Sequence, residues 1–224
     1  MILFNILKYG KKNAVTLSYD DGLMFDRKLI DIMDKHGIRG SFHLNSGLLG
    51  DENHICPKEI KMLYKNHEVS CHGVWHAALD LLPQSGVIAE IIENRRALEK
   101  ACGYPVRGMS YANGRYDATV IKTLKSCGIE YSRTTKNTFT YSFPKDYLEW
   151  HPTCHHRDCV EYGRKFLEAI AGYSSGPRLL YVWGHSYEFD TSNNWELIEE
   201  FCKLISGKED IWYARNIGKC INNK

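Results

Sequence analysis

The sequence predicts an α/β fold whose strands close into a barrel. Short β-rich runs alternate with longer amphipathic stretches, the strands so found number seven or eight, and covering helices fall between them. At 224 residues the chain is long enough for one sizeable core and within the range of a single barrel. Residues 1–224 are therefore read as one domain with its core at about 13–215.

Taken in order, residues 1–7 are apolar but interrupted by Asn5, and they run into Lys8 without a small-residue cleavage site. They read as a first strand, not a signal peptide. A strand at 14–19, a helix at 25–36 and a strand at 40–44 begin the alternation. A helix at 57–66 and a strand at 68–71 continue it, followed by a long helix at 85–101 that Gly103 stops. Further strands are predicted at 108–111, 130–132, 148–150, 179–183 and 211–213, with helices at about 117–127, 159–171 and 195–206. Ser174, Ser175, Gly176 and Pro177 make a turn between helix and strand. The polar stretch 133–145 is the longest irregular segment, suited equally to a substrate-side loop and to a plain surface loop.

Hydrophobic content of 43%, charged content of 25% and a net charge of +2 describe an ordinary globular protein. Basic residues are scattered, which does not favour nucleic acid as a partner, and no stretch reaches the roughly 20 apolar residues of a membrane span. Eight cysteines (Cys56, Cys71, Cys102, Cys127, Cys154, Cys159, Cys202, Cys220) are dispersed through the chain. Without a recognisable export signal they are expected to be reduced thiols in a cytoplasmic protein. Cys154 and Cys159 are spaced C-x4-C with no second pair, which is not the pattern of a structural zinc site.

Chemistry concentrates at strand ends. Asp20 and Asp21 close an apolar strand just before Gly22; in a parallel α/β fold this is the active edge. Successive strand residues face opposite ways, so the two carboxylates can share a site only if the chain turns there, as Gly22 would permit. His72 and His76 follow another strand, and two imidazoles with one carboxylate make a three-ligand set that leaves positions open for water and substrate. Ten histidines in this chain yield roughly 0.4 H-x3-H pairs by chance, so spacing alone is weak. His151 and His155 form such a pair across Pro152, which excludes a regular helix there; they read as polar loop or pocket residues. His185 follows the strand 179–183, where it can serve as a general acid or as a turn residue.

In this order the elements resemble the polysaccharide deacetylase family, carbohydrate esterase family 4, or NodB-homology domain. The run Ser18-Tyr19-Asp20-Asp21-Gly22 resembles its first motif, and His72 to His76 its second, with Gly73 in place of the usual Ser or Thr. Residues 109–114 are a relaxed counterpart of its third motif, with Ser110 where the family has an Arg and Ala112-Asn113 where it has Pro-Tyr. The fourth, Asp-Trp motif is not recognisable, Trp150 being its aromatic remnant; Val182 to His185 resembles the fifth. The resemblance implies a distorted (β/α)7 barrel. It further implies a divalent metal, foremost Zn2+ with Co2+, Ni2+ or Mn2+ as alternatives, held by Asp21, His72 and His76, with Asp20 as base and His185 as acid. Arg107, Arg115 and Arg133 are the candidates to orient the base in place of the missing Arg.

The expected activity is metal-assisted removal of N-acetyl groups from an amino-sugar oligosaccharide or polysaccharide. Tyr111 and Trp150 are expected to line a substrate pocket, with a backbone N–H near Asn113 facing the oxyanion. The alternatives are hydrolysis of a small non-sugar amide or of a sugar O-acetyl ester on the same barrel, and a non-catalytic carbohydrate-binding protein. Pure binding would need neither Asp20 nor His185.

Overall fold

The computed structural model describes residues 10–172 and 176–218. The strand expected at 1–7, the turn residues Ser174 and Ser175, and Cys220 lie outside them. The strands are β1 (Asn13–Asp21), β2 (Gly40–Leu44), β3 (Glu68–Cys71), β4 (Gly108–Ser110), β5 (Tyr131–Arg133), β6 (Cys154–His155), β7 (Arg178–His185) and β8 (Ile211–Ala214). The helices are α1 (Asp26–Lys35), α2 (Ile60–Leu63), α3 (Gln84–Cys102), α4 (Ala118–Ser126), α5 (Cys159–Ala171), α6 (Tyr187–Thr191) and α7 (Trp195–Ile205).

Every named strand pairing is parallel, in the order β5-β4-β3-β2-β1-β7-β6. Trp150 bonds through its backbone to Ser132 and Thr134 beside β5, and Thr153 then donates to Tyr181 of β7. This segment closes the ring between β5 and β7, giving the distorted (β/α)7 barrel. β8 stands outside the count: it pairs with the first half of β1, Asn13 to Thr16, while β2 takes the second half from Leu17.

Two predicted elements are corrected. Residues 147–149 form a 3-10 turn rather than a strand, because Asp146 accepts a hydrogen bond from Leu148 N at 2.8 Å and turns the chain. Trp150 keeps one isolated parallel bridge, to Arg133. The strand of this region is β6 instead, only two residues long and too short to show a period in the sequence. The helix expected over 57–66 contracts to α2, flanked by turns, and the short α6 was not anticipated.

Period-2 alternation along β1 explains the interior. Val15, Leu17 and Tyr19 face the helices in the main apolar core, whereas Ala14 joins Tyr131, Trp150, Leu179, Tyr181 and Ala214 in a separate buried cluster. Thr16, Ser18 and Asp20 alternate with the core-facing residues, and their bonds run across the ring. Thr16 bonds to Asn216, Ser18 to Arg133, and Asp20 to both Ser110 and Arg133. The ring is thus lined largely by polar groups that satisfy one another, as burial requires.

Glu68 anchors the lower layer of this network and is 3% exposed. Its carboxylate accepts from Ser41 at 2.6 Å, Ser70 at 2.9 Å, Tyr131 at 2.8 Å and the backbone of Ile217 at 2.8 Å. Glu68→Ala leaves four donors without their acceptor and is expected to cost about 3 kcal/mol or more in urea unfolding. A loss below about 1 kcal/mol would show that this layer does not hold the barrel.

Candidate metal centre

The turn that lets neighbouring carboxylates share a site begins at Asp21 itself. Asp21 has φ 78° and Gly22 φ 74°, both left-handed. A Cβ on Gly22 would fall 2.8 Å from the Leu44 side chain, so glycine is required there on two counts. His76 is also left-handed, at φ 59°. Such backbone costs on the order of 1–3 kcal/mol per residue and persists only where its surroundings enforce it.

The surroundings of the 72–76 loop are three polar side chains. Asn94 accepts from His72 N at 3.1 Å, and Asn45 donates to the carbonyls of His72 and Gly73 at 2.7 and 3.2 Å. Glu90 of α3 accepts from Val74 N at 2.6 Å and Trp75 N at 3.2 Å. A Cβ on Gly73 would approach the Glu90 carboxylate to 2.8 Å. The glycine that replaces a hydroxyl residue thus leaves room for a carboxylate that ties the same loop down.

Asp21, His72 and His76 converge. Asp21 Oδ1 lies 3.5 Å from His72 Nε2 and 3.6 Å from His76 Nε2. His72 Nδ1 sits 2.7 Å from the Ser110 hydroxyl and 3.0 Å from its carbonyl, which assigns the ring proton to Nδ1 and leaves the Nε2 lone pair facing Asp21. Burial pushes the His72 pKa down to about 4, so the imidazole is neutral near pH 7. Asp21 Oδ1 is buried with no hydrogen-bond partner among the described residues. A neutral imidazole with a lone pair aimed inward, a second imidazole and an unpartnered carboxylate oxygen form a donor set that fits a divalent cation.

Asp20, beside this set, is 3% exposed. Of the three candidate arginines, Arg133 reaches it, bonding to Asp20 Oδ2 while also donating to Ser18 at 3.0 Å and to the Thr134 carbonyl at 3.1 Å. Arg107 pairs instead with Glu130, where β4 and β5 begin, and Arg115 with Asp80 at the surface. Ser110, in the position of the family arginine, donates to Asp20 Oδ1 at 3.0 Å. His43 Nδ1, 3.4 Å from the same oxygen, was not anticipated. Burial alone would raise the Asp20 pKa, but Arg133, His72 and His43 outweigh it and hold the carboxyl well below the ordinary range.

His185 closes β7 in register with Asp20 on β1. Its Nδ1 lies 3.4 Å from Glu188 Oε1, and the other oxygen of Glu188 lies 3.0 Å from His155 Nε2 and 3.1 Å from His156 Nε2. Arg157 donates to His155 Nδ1 at 3.1 Å, which places the His155 proton on Nε2, facing Glu188. His155, His185 and Glu188 also have the composition of a cation site, but a protonated Nε2 makes His155 a hydrogen-bond donor there. Burial disfavours a charged His185, yet Glu188 and, beyond it, Asp20 and Asp21 outweigh this and raise its pKa above the ordinary histidine value.

Glu188 was missed in the sequence, although it falls three residues after His185 on a helix too short to recognise. His151 bonds to Thr134 at 2.6 Å and does not converge with His155. The expected pocket pair is corrected. Tyr111 and Trp150 are each 1% exposed: Tyr111 donates to the Leu148 carbonyl and stacks on Tyr116, and Trp150 packs among Tyr131, Tyr147 and Tyr181. Their large apolar surfaces serve the core. Asn113 is exposed on the turn after β4, with φ 57°. Burial pushes the thiols of Cys154 and Cys159 up, and both are free.

Glu90→Ala removes the clamp on the loop that carries both imidazoles. Zinc affinity, titrated on the folded protein, is expected to fall roughly 10–100-fold. An unchanged affinity would mean that Asn45 and Asn94 suffice to hold the loop.

Residues 8–132 match the family described as polysaccharide deacetylase. The chain is 23% identical over 135 residues to a chitin deacetylase of Pestalotiopsis sp, covering 60% of this chain and 45% of that protein. It spans less than half the length of the curated relatives it matches. Among solved structures, the chitin deacetylase of the fungal pathogen Colletotrichum lindemuthianum superposes with a TM-score of 0.67 at 17% identity, covering 100% of this chain and 92% of that one. A family 4 carbohydrate esterase from Streptomyces lividans in complex with acetate gives 0.58 at 14% identity, covering 90% and 91%. These likenesses share the barrel, and the sequence match extends over more than half of the chain; the chain belongs to the polysaccharide deacetylase family.

Proposed function

We propose that the protein is a zinc-dependent deacetylase that removes N-acetyl groups from amino sugars, with residues about 13–215 as one catalytic unit. The observation that carries this reading is the convergence of Asp21, His72 and His76 beside a carboxylate that Arg133 and Ser110 hold ionised. Two imidazoles and one carboxylate suit zinc and leave positions open.

A divalent cation, which Asp21, His72 and His76 would hold, would supply Lewis acidity that lowers the pKa of a neighbouring water toward ~7 and polarises an acyl carbonyl. Asp20 takes the proton of that water. Its low basicity makes it a poor base for free water and a sufficient one for acidified water. Arg133 and Ser110 each occupy one Asp20 oxygen and so fix the direction from which the proton arrives. Trp183 lies over the guanidinium of Arg133, 4.5 Å from its ring centroid, and shields the pair. His185 donates a proton to the departing amine, with Glu188 orienting the ring through Nδ1 so that Nε2 serves the substrate. Asn113, exposed on the turn after β4, stands as the backbone contact for the developing oxyanion.

Acetate release from N-acetylglucosamine oligomers, paired with metal analysis, tests the reading. Activity is expected to vanish on chelation and return with zinc, and Asp21→Ala combined with His76→Ala is expected to abolish stoichiometric metal. A double variant that still binds zinc would sink the ligand assignment. Preference for acetylxylan or a small amide over every amino sugar would replace the substrate class.

His185 serves as an acid only while protonated, so activity should fall as pH rises through its elevated pKa. Glu188→Gln removes the carboxylate that does most to raise this pKa, leaving only Asp20 and Asp21 to oppose the effect of burial. The alkaline limb of the pH–rate profile is expected to move to lower pH; a limb that stays in place would remove His185 from the acid role.

A further inference from the structure

Trp75 is 63% exposed, immediately before His76 in the loop between the two imidazoles. An indole so placed contributes little to the core. It is nevertheless held. A Cβ on Gly47 would lie 2.7–2.9 Å from three ring atoms of Trp75, so one side of the indole rests on a position that only glycine leaves open. Gly47 N donates to the Val74 carbonyl at 2.9 Å, joining the two loops, and Glu90 accepts from Trp75 N. The ring is supported behind and open in front.

The same edge of the barrel shows other exposed apolar side chains. Met24 follows β1 and is 40% exposed, Leu81 follows β3 at 69%, and Phe139 follows β5 at 52%. All three sit on loops leaving the strand ends that carry Asp21, His72 and Arg133. Tyr111 and Trp150, the aromatics expected in a pocket, are consumed by the core.

We propose that Trp75 is the stacking platform for a pyranose ring of the substrate, and that it sets the preference of this site for sugar chains over small amides. A pyranose presents a face of C–H groups that an indole ring covers without competing for the ring's hydroxyls. Adjacent to His76, a sugar on Trp75 is delivered beside Asp21 and Asp20. Rigid support on Gly47 and Glu90 means that little side-chain freedom is lost when the sugar lands. This inference rests on the deacetylase reading and adds the residue that selects the ring.

The test uses the full chain with Trp75→Ala and Trp75→Phe, and Met62→Ala on the distant α2 as an exposed apolar control. On N-acetylglucosamine oligomers, Trp75→Ala is expected to raise KM by about tenfold with a much smaller change in kcat, and Trp75→Phe to recover most of the loss. Deacetylated glucosamine oligomers are expected to quench tryptophan fluorescence of metal-free wild type, and the quench to be lost in Trp75→Ala. Unchanged KM and unchanged oligomer affinity in a Trp75→Ala protein that melts like wild type would overturn the platform alone. Failure of wild type to release acetate from any N-acetylated sugar would overturn the deacetylase reading, while the quenching titration would still report on the platform. Wild type that neither quenches nor hydrolyses overturns both.

Discussion

The buried pairing of Asp20 with Arg133 is the constraint around which this molecule is organised. Both side chains are almost fully excluded from water, at 3% and 0% exposure. Taking two charges out of water costs several kcal/mol per ion unless each remaining donor and acceptor is met. Here Ser18 and the Thr134 carbonyl complete the guanidinium, and Ser110 and His43 share the second carboxylate oxygen. The pair draws on β1, β2, β4 and β5 at once, so the barrel must close in this register for it to exist. A polar interior below, from Glu68 to Asn216, is the continuation of that requirement.

Strain is placed on the same edge. Asp21, His76 and Asn113 all adopt left-handed backbone without being glycine; Asp21 ends β1, and the other two follow β3 and β4. Each conformation aims a side chain or turn that a relaxed strand exit would not. The restraints on the His72 to His76 loop come from outside it, on α3 and on the loop after β2. Asp21 Oδ1 thus lies 3.5–3.6 Å from both imidazole nitrogens, and such pre-arrangement lowers the ordering cost of binding a cation.

Two carboxylate–imidazole clusters flank Asp20 and differ in what their nitrogen protons do. In one, Ser110 takes the Nδ1 proton of His72 and leaves a lone pair inward. In the other, Glu188 faces ring nitrogens of His155, His156 and His185 at 3.0–3.4 Å, and its own pKa is pulled far down by them against the effect of burial. The first is therefore suited to a cation and the second to holding a proton, although both are built from the same residue types.

Much was legible from sequence because it is local. The strand exits at Asp20-Asp21-Gly22, Cys71-His72 and Trp183-Gly184-His185 are written in apolar runs that stop at polar residues, and a parallel α/β fold puts all such exits on one edge. The chain over 148–150 does not form a strand because Asp146 captures the Leu148 N–H and bends it, a side-chain bond that no periodicity shows. Tyr111 and Trp150 are buried in the core, which aromatic character does not reveal because it does not say which face of a ring is covered. Arg107, Arg115 and Arg133 were equivalent in the sequence. They separate only in space, one where strands begin, one at the surface and one inside the ring.

What the amino-acid sequence determined by itself is the alternation of strands and helices and the order in which acidic and histidine side chains leave the strands. Tertiary structure alone decided which arginine meets Asp20, which carboxylate meets His185, and that Gly73 is matched to Glu90. The physical reason is distance along the chain: Arg133 and Asp20 are 113 residues apart, and only closure of the ring sets their separation.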